Sequence, residues 1–205
     1  MFDSKQINFD LLDRSVYFLY LCVMTTRDLL IKATSELIQK RGYHGTGMSA
    51  VIEAVGVPKG SLYHHFPEGK DDLISASLKY YAASKGEQFN LAMKGKKTAV
   101  GGLQAIVDLS LNFLEQTQYQ KGCPVAAVSL DVSSDNEFIR KTCTRIFDTW
   151  KKNLESYLKY KNVNDPGSKA EAFMIGLQGS FLLSKIHRNK SYMKTFRKQI
   201  EKIIN

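Results

Sequence analysis

One short segment of the chain concentrates side chains that can bind a polyanion. Residues 58–66 read PKGSLYHHF and carry an ammonium group, a glycine, a hydroxyl, a phenol and two imidazoles. A buried helix seldom contains such groups, because each would need a hydrogen-bond partner. A helix that meets nucleic acid uses cations and free N–H groups for phosphate, and hydroxyls and rings for base edges. The segment therefore predicts nucleic-acid contacts from Lys59, Gly60, Ser61, Tyr63, His64 and His65.

A helix this short is not stable alone, so its neighbours must hold it in place. Residues 48–55 predict a second short helix, and Gly56 between the two can adopt the positive φ of a tight turn. Two short helices joined in this way form the helix-turn-helix pattern. Longer helices predicted over 27–41 and 71–94 would support them, the first opened by Thr26 as its cap and the second by Asp71. The predicted contacts between the short helices involve Val51, Ile52, Val55, Leu62 and Phe66.

The rest of the chain keeps the helical period of apolar residues, and no stretch alternates with the period of a strand. Gly95 and the pair Gly101-Gly102 predict breaks. Further helices are predicted over 103–118, 124–132, 135–160, 166–189 and 190–203. The sequence therefore predicts an all-α protein.

Charge and cysteine content narrow the class of protein. The net charge is +9, which suits an anionic partner. Most of the excess lies in residues 71–205, however, where it indicates either solvated helix faces or an anionic small molecule. The cysteines Cys22, Cys123 and Cys143 are widely spaced and form no CxxC pair, which is typical of reduced thiols in a cytoplasm. No metal-ligand spacing and no cofactor motif are present.

Residues 1–23 form an extension of uncertain status. Their apolar run VYFLYLCVM is too short to span a bilayer as a helix, which needs about 20 residues. The acidic residues before it are unlike the positive start of a signal peptide. Either Met24 is the natural start, or the extension is an amphipathic arm that packs on the first helix. A further alternative is that the chain is a basic amphipathic protein of the membrane surface, which could use this apolar run to bind lipid.

The run GYHGTGMSAVIEAVGVPKGSLYHHFPEGKDDL resembles the helix-turn-helix of the TetR family of transcriptional repressors, and KGSLYHHFPEGK is similar to its LmrA-like multidrug-type subgroup. This resemblance implies a DNA-binding domain over 24–70 and a helical effector-binding and dimerisation domain over 71–205. It adds Lys70 as a phosphate ligand. The family's threonine pair is replaced by Thr46-Gly47-Met48-Ser49, so a hydroxyl contact would come from Thr46 or Ser49, or be missing. Pro58 stands where serine is common and removes one backbone donor.

The resemblance also implies a homodimer on double-stranded operator DNA, released by a small aromatic or amphipathic effector. Aromatic side chains in the C-terminal part either line that effector's pocket or are ordinary core residues. The candidates are Phe113, Tyr119, Cys123, Phe147, Trp150, Phe173 and Phe181. The small residues Gly176 and Gly179 suit either a dimer of the last two helices or a close crossing within one chain.

An enzyme is the contrasting class. The sequence contains no Ser-His-Asp set, no paired carboxylates, no phosphate-binding glycine loop and no HExxH motif. We therefore expect a cytoplasmic, ligand-responsive repressor of an efflux or detoxification gene, with no catalytic residues and no membrane partner.

Overall fold

The structure is a computed structural model that describes residues 24–205, which form nine α-helices and no strand. The prediction of an all-α protein is confirmed. Both readings of the extension 1–23 lie outside the described residues. The helices are α1 (Thr26–Arg41), α2 (Met48–Val55), α3 (Lys59–His65), α4 (Lys70–Met93), α5 (Ala99–Gln116), α6 (Pro124–Asp131), α7 (Glu137–Tyr160), α8 (Pro166–His187) and α9 (Ser191–Ile204).

The first helix begins one residue earlier than predicted. Thr25, not Thr26, is the N-cap: its hydroxyl accepts from the Asp28 backbone N–H, and the Asp28 carboxylate accepts from the Thr25 N–H in return. This reciprocal pair satisfies two of the N–H groups that a helix start leaves free. The start of α1 is therefore fixed by these two hydrogen bonds.

An apolar cluster holds α1 to α4 together at the N-terminal end. Leu62 and Phe66 from the α3 segment are fully buried beside Val51 of α2, as predicted. Leu73 of α4 belongs to the same cluster, so α4 is part of this bundle from its first turn. The predicted domain boundary at residue 70 stays a prediction. The cluster also contains Leu30 and Ile31, with Ile52 and Val55 packed against it.

The remaining helices form two further cores. One joins the end of α1 and the middle of α4 to α6 and the first half of α7, around Ile38, Leu78 and Val128. The other joins α5, the end of α7, α8 and α9, around Phe173 and Phe196. Because α4 contributes to all three, it connects the two ends of the molecule.

The predicted break at Gly101-Gly102 is wrong, since both glycines lie inside α5, which begins at Ala99 and is capped by the Thr98 hydroxyl. A Cβ on Gly102 would lie 1.9 Å from the Tyr157 hydroxyl oxygen, so this glycine leaves room for the end of the Tyr157 side chain from α7. Asp71 is not the cap of α4 either: Gly69 takes that position. Within residues 24–205, no helix is long and apolar enough to cross a membrane.

Candidate DNA-binding surface and effector cavity

The turn between α2 and α3 has the geometry that the sequence predicts. Gly56 has φ 73° and ψ 31°, the left-handed region, and its N–H donates to the Ile52 carbonyl at 2.8 Å. Residues with a Cβ rarely adopt this conformation. Pro58 then precedes α3 as its N-cap, one position before its predicted place. The turn therefore fixes the angle between α2 and α3.

The outer face of α3 carries the predicted DNA-contacting side chains. Tyr63 is 43% exposed, and the Lys59 ammonium lies 5.8 Å from the centre of its ring. His64 is exposed and His65 is half-buried, with their rings edge to face at 5.2 Å. Gly60 is exposed with open space around its Cα, so a duplex backbone could approach the helix there. Ser61 is half-buried on the same helix. No group of metal-ligating side chains occurs among the described residues.

The two hydroxyls that the sequence leaves as alternatives lie in different environments. Thr46 is 1% exposed, and its hydroxyl donates to the Gly42 carbonyl at 2.7 Å. A buried hydroxyl engaged with its own backbone cannot reach a phosphate. Ser49 is exposed in the first turn of α2, whose N-cap Gly47 leaves the N–H groups of that turn without a side-chain partner. Of the two hydroxyls, that of Ser49 is therefore on the surface, and that of Thr46 is hydrogen-bonded within the chain.

Lys70 opens α4 beside the helix-turn-helix. Its ammonium lies 4.1 Å from the centre of the Tyr43 ring, and its partial burial lowers its pKa despite the nearby Asp71 carboxylate. The Tyr43 hydroxyl donates to Asp71 at 2.5 Å, and burial with this carboxylate raises the pKa of Tyr43 to about 12. Asn136 of α7 donates to the other Asp71 oxygen at 2.7 Å. Lys70 is thus a cation packed on Tyr43, whose hydroxyl is held by hydrogen bonds that reach Asp71 and Asn136.

A cavity lies among α4, α5, α7 and α8, and it contains about 70 Å³ of free volume. Five of the seven predicted pocket residues line it: Phe113, Cys123, Trp150, Phe173 and Phe181. Phe181 stacks on Phe113 with ring centroids 6.4 Å apart. The surface of this cavity is predominantly aromatic and aliphatic, as ligand pockets usually are.

Two of the predicted pocket residues lie elsewhere. Tyr119 has φ 59° just after α5 and packs on the C-terminal core, outside the cavity. Phe147 belongs to the core around α6 and touches the cavity only through Trp150, whose ring it meets edge to face at 5.5 Å. Both follow the helical period, but that period does not distinguish a core face from a cavity face.

The sequence analysis missed the cavity's polar groups, chiefly Lys85 and Tyr81 on α4 and Gln178 on α8. Burial lowers the pKa of Lys85 to about 8; the Cys123 thiol opposes this change and Lys121 adds to it. Burial also raises the pKa values of Tyr81 and Cys123, the latter against hydrogen bonding that includes Gln178. Sequence spacing could have indicated part of this set, because Lys85 follows Tyr81 by four residues and therefore lies on the same helical face.

Helix α6 links the cavity wall to the N-terminal bundle. At its start, Cys123 lines the cavity and the Gly122 N–H donates to the Gln39 carbonyl of α1 at 3.0 Å. At its end, the Asp131 carboxylate accepts from the Tyr43 N–H at 2.8 Å. The His44 Nε2 lies 2.7 Å from the Asp131 carbonyl oxygen. Both ends of α6 are therefore hydrogen-bonded to α1 or to the loop that follows it.

The two glycines of α8 have separate surroundings. A Cβ on Gly176 would lie 2.0 Å from the Phe196 ring of α9, which accounts for a close crossing within the chain. Gly179 has open space within 4 Å of that position and belongs to an exposed apolar stripe. The other members of the stripe are Ile175, Leu182, Leu183 and Ile186, between 41% and 68% exposed. By contrast, α9 turns its apolar face inward with Met193 and Ile200.

Comparison with known proteins assigns the chain to a family. Residues 30–77 match the model of bacterial regulatory proteins of the tetR family, and residues 99–199 match that of the LmrA/YxaF-like regulator C-terminal domain. The YxaF regulator of Bacillus subtilis is 25% identical, over 87% of this chain and 95% of its own. The LmrA regulator of the same species is 28% identical, over 81% and 89%.

A solved structure has the same fold. The reduced form of Escherichia coli NemR superimposes with a TM-score of 0.80 at 24% identity, over 88% of this chain and 97% of that one. The fold, the helix-turn-helix and the two matched models point the same way. The chain belongs to the TetR family of helix-turn-helix transcriptional regulators.

Proposed function

We propose that the protein is a ligand-responsive repressor that binds a palindromic DNA operator as a homodimer and is released by a small aromatic or amphipathic effector. The observation that carries this proposal is the way α3 is held: Leu62 and Phe66 anchor one face in an apolar core, and the opposite face presents Tyr63 and His64 to solvent. A rigid helix with a polar outer face is what the major groove of DNA accepts.

The DNA contacts fall into two groups. Lys59 and Lys70, with the exposed N–H groups at the starts of α2 and α3, would position the protein on phosphates. Ser49 would add a phosphate hydrogen bond from the first turn of α2. The side chains of Ser61, Tyr63, His64 and His65, which share α3, would reach base edges or further phosphates, and Gly60 would let the backbone approach the duplex.

A second copy of the chain is the proposed partner for the exposed stripe of α8. TetR regulators act as dimers, and the stripe has the spacing of one helix face, with Ile175, Gly179, Leu182 and Ile186 in line. Exposed apolar faces of this kind mark interaction surfaces. A Cβ on Gly179 would have no described residue within 4 Å, so this position would let the partner's helix approach closely.

The effector's place is the cavity among α4, α5, α7 and α8. Its free volume of about 70 Å³ is below the roughly 300 Å³ or more of typical ligand pockets, so a ligand must displace side chains or helices to enter. Helix α4 in this wall, and Cys123 at the N-cap of α6, also connect to the N-terminal bundle. In a dimer, such movement would change the distance between the two copies of α3. A palindrome fixes the distance between its half-sites, so it tolerates little change in that distance. The resemblance to multidrug-type regulators supports an efflux or detoxification gene as the target.

The proposal is tested by selecting a binding sequence from random duplexes and measuring affinity by fluorescence anisotropy. We expect a palindrome whose half-sites are about 34 Å or more apart, with log affinity falling by about 0.9 per phosphate neutralised for each log unit of salt. Tyr63→Phe and His65→Ala should weaken binding by about 1–3 kcal/mol, because each removes a hydrogen bond. Tyr160→Phe, at an exposed position on α7, is the matched control. Equal affinity for scrambled DNA would contradict the proposal.

A further inference from the structure

The wall of the cavity contains a cation, Lys85, that has no anionic partner among residues 24–205. Lys85 lies on α4 with its ammonium 4.6 Å from the centre of the Phe113 ring, and it donates one hydrogen bond, at 2.9 Å, to the neutral amide of Gln88. None of the cavity's lining residues is an aspartate or glutamate. Within residues 24–205, the ion pairs that form involve other lysines and arginines, such as Lys151 with Glu171.

Without a ligand, this arrangement lowers the free energy of unfolding of the protein. A partly desolvated ammonium without a carboxylate loses hydration that a π face and one amide only partly replace. That loss lowers the pKa of Lys85 to about 8, even though the Cys123 thiol opposes the change. A methionine or leucine would fill the same wall without this cost. A ligand that brings a negative charge would supply the missing partner.

We propose that the effector is a planar aromatic acid whose carboxylate pairs with the Lys85 ammonium while its ring lies among the aromatic side chains of the cavity. The inference rests on the proposed function, because it concerns the same cavity. The ring is required by the wall, where Phe113, Trp150 and Phe173 present mainly carbon. The neutral polar groups Gln178 and Asn153 can serve the remaining acceptors of a carboxylate.

The test compares acids with their own amides, which have nearly the same shape and no charge. Benzoate, cinnamate and 2-naphthoate, with benzamide, cinnamamide and 2-naphthamide, are titrated into the full chain by calorimetry. We expect at least one acid to bind tenfold or more tightly than its amide. Lys85→Met should abolish that preference. Lys79→Met, an exposed lysine earlier on α4, is the matched control and should keep it.

A pH series adds a readout that a shape effect would not give. The titratable groups facing Lys85 are Cys123 of α6, Lys121 in the loop before it, and Tyr81 one turn back on α4. The ammonium is present below its pKa of about 8 and is lost as the pH rises through it. Affinity for the acid should therefore fall about tenfold between pH 7 and pH 9, while affinity for the amide stays level. In Lys85→Met both should be level.

Two results would overturn the inference: no acid binds more tightly than its amide, or the preference survives in Lys85→Met. Folding of the variant is checked by its melting temperature, which should not fall, because an ammonium without an anionic partner has been removed. The results that would contradict the proposed function differ from those that would contradict the aromatic acid. Acids that bind through Lys85 without releasing operator DNA would contradict repression by this effector, and neutral aromatics that release DNA would support repression while contradicting the acid.

Discussion

The two glycines of α8 offer a matched experiment on what each one is for. Gly176 and Gly179 lie on the same helix, and the same substitution to alanine brings the same gain in helix propensity, about 1 kcal/mol at either position. That gain cancels when the two variants are compared. The difference in their free energies of unfolding therefore isolates what the added methyl group meets.

The structure fixes the size of that difference. At Gly176, the methyl carbon would lie 2.0 Å from Phe196 Cε2 and 2.7 Å from two further ring atoms, so the ring must move by about 1.5 Å to reach ordinary contact. Phe196 is 5% exposed and packs against Phe173 with ring centroids 5.6 Å apart, so its movement disturbs the C-terminal core. Overpacking of this kind costs about 1–3 kcal/mol. At Gly179 the methyl group has no atom of residues 24–205 within 4 Å.

We therefore expect Gly176→Ala to be less stable than Gly179→Ala by about 1–3 kcal/mol. The measurement is urea unfolding followed by circular dichroism at several protein concentrations. A packing change within the protomer does not depend on concentration, whereas a change in dimerisation at Gly179 does. Equal stability of the two variants at every concentration would show that Phe196 does not require a glycine, and the reasoning on the crossing of α8 and α9 would fail.

Two further predictions concern the dimer and the coupling. Leu182→Glu should shift the protein towards the monomer in light scattering at micromolar concentration, because it places a charge in the proposed interface, whereas Leu130→Glu, exposed on α6, should leave the mass unchanged. Asp131→Ala removes the acceptor of the Tyr43 N–H, a bond worth about 0.5–1.5 kcal/mol, and should reduce the effector's effect on operator affinity by about 2- to 10-fold, measured as the ratio of Kd with and without effector. Asp135→Ala is the control. An unchanged ratio in Asp131→Ala would show that the bond between Asp131 and Tyr43 does not couple the cavity to the operator.

Local signals predicted the helix-turn-helix well. The bounds of α2 follow from Gly56, because one glycine at a left-handed position ends that helix whatever lies around it. The buried pair Leu62 and Phe66 follows from helical spacing on one face of a segment whose other face is polar. The choice between two adjacent threonines as cap was also local: Asp28 stands three residues after Thr25, and that spacing favours Thr25.

Contacts between distant segments explain what the sequence could not predict. Gly101 and Gly102 have the pattern of a loop, but α5 continues through both, and Gly102 leaves room for the Tyr157 side chain of α7. Thr46 and Ser49 are similar residues three positions apart, and only the packing of α1 against α2 buries one and exposes the other. Lys85 resembles a surface lysine in an amphipathic helix, since its burial depends on where α5 and α8 lie.

Two helices, α4 and α6, connect the cavity wall to the N-terminal bundle. On α4, Leu73 lies in the N-terminal core and Lys85 in the cavity wall, twelve residues or about 18 Å along one helix. On α6, Cys123 lies in the same wall and Asp131 holds the loop after α1. A ligand that moved only one helix would strain the hydrogen bonds and packing of the other. Because α1 is attached to each, we expect the N-terminal bundle to move with both helices as a unit. On the proposed function, a local displacement in the cavity would then change the orientation of α3.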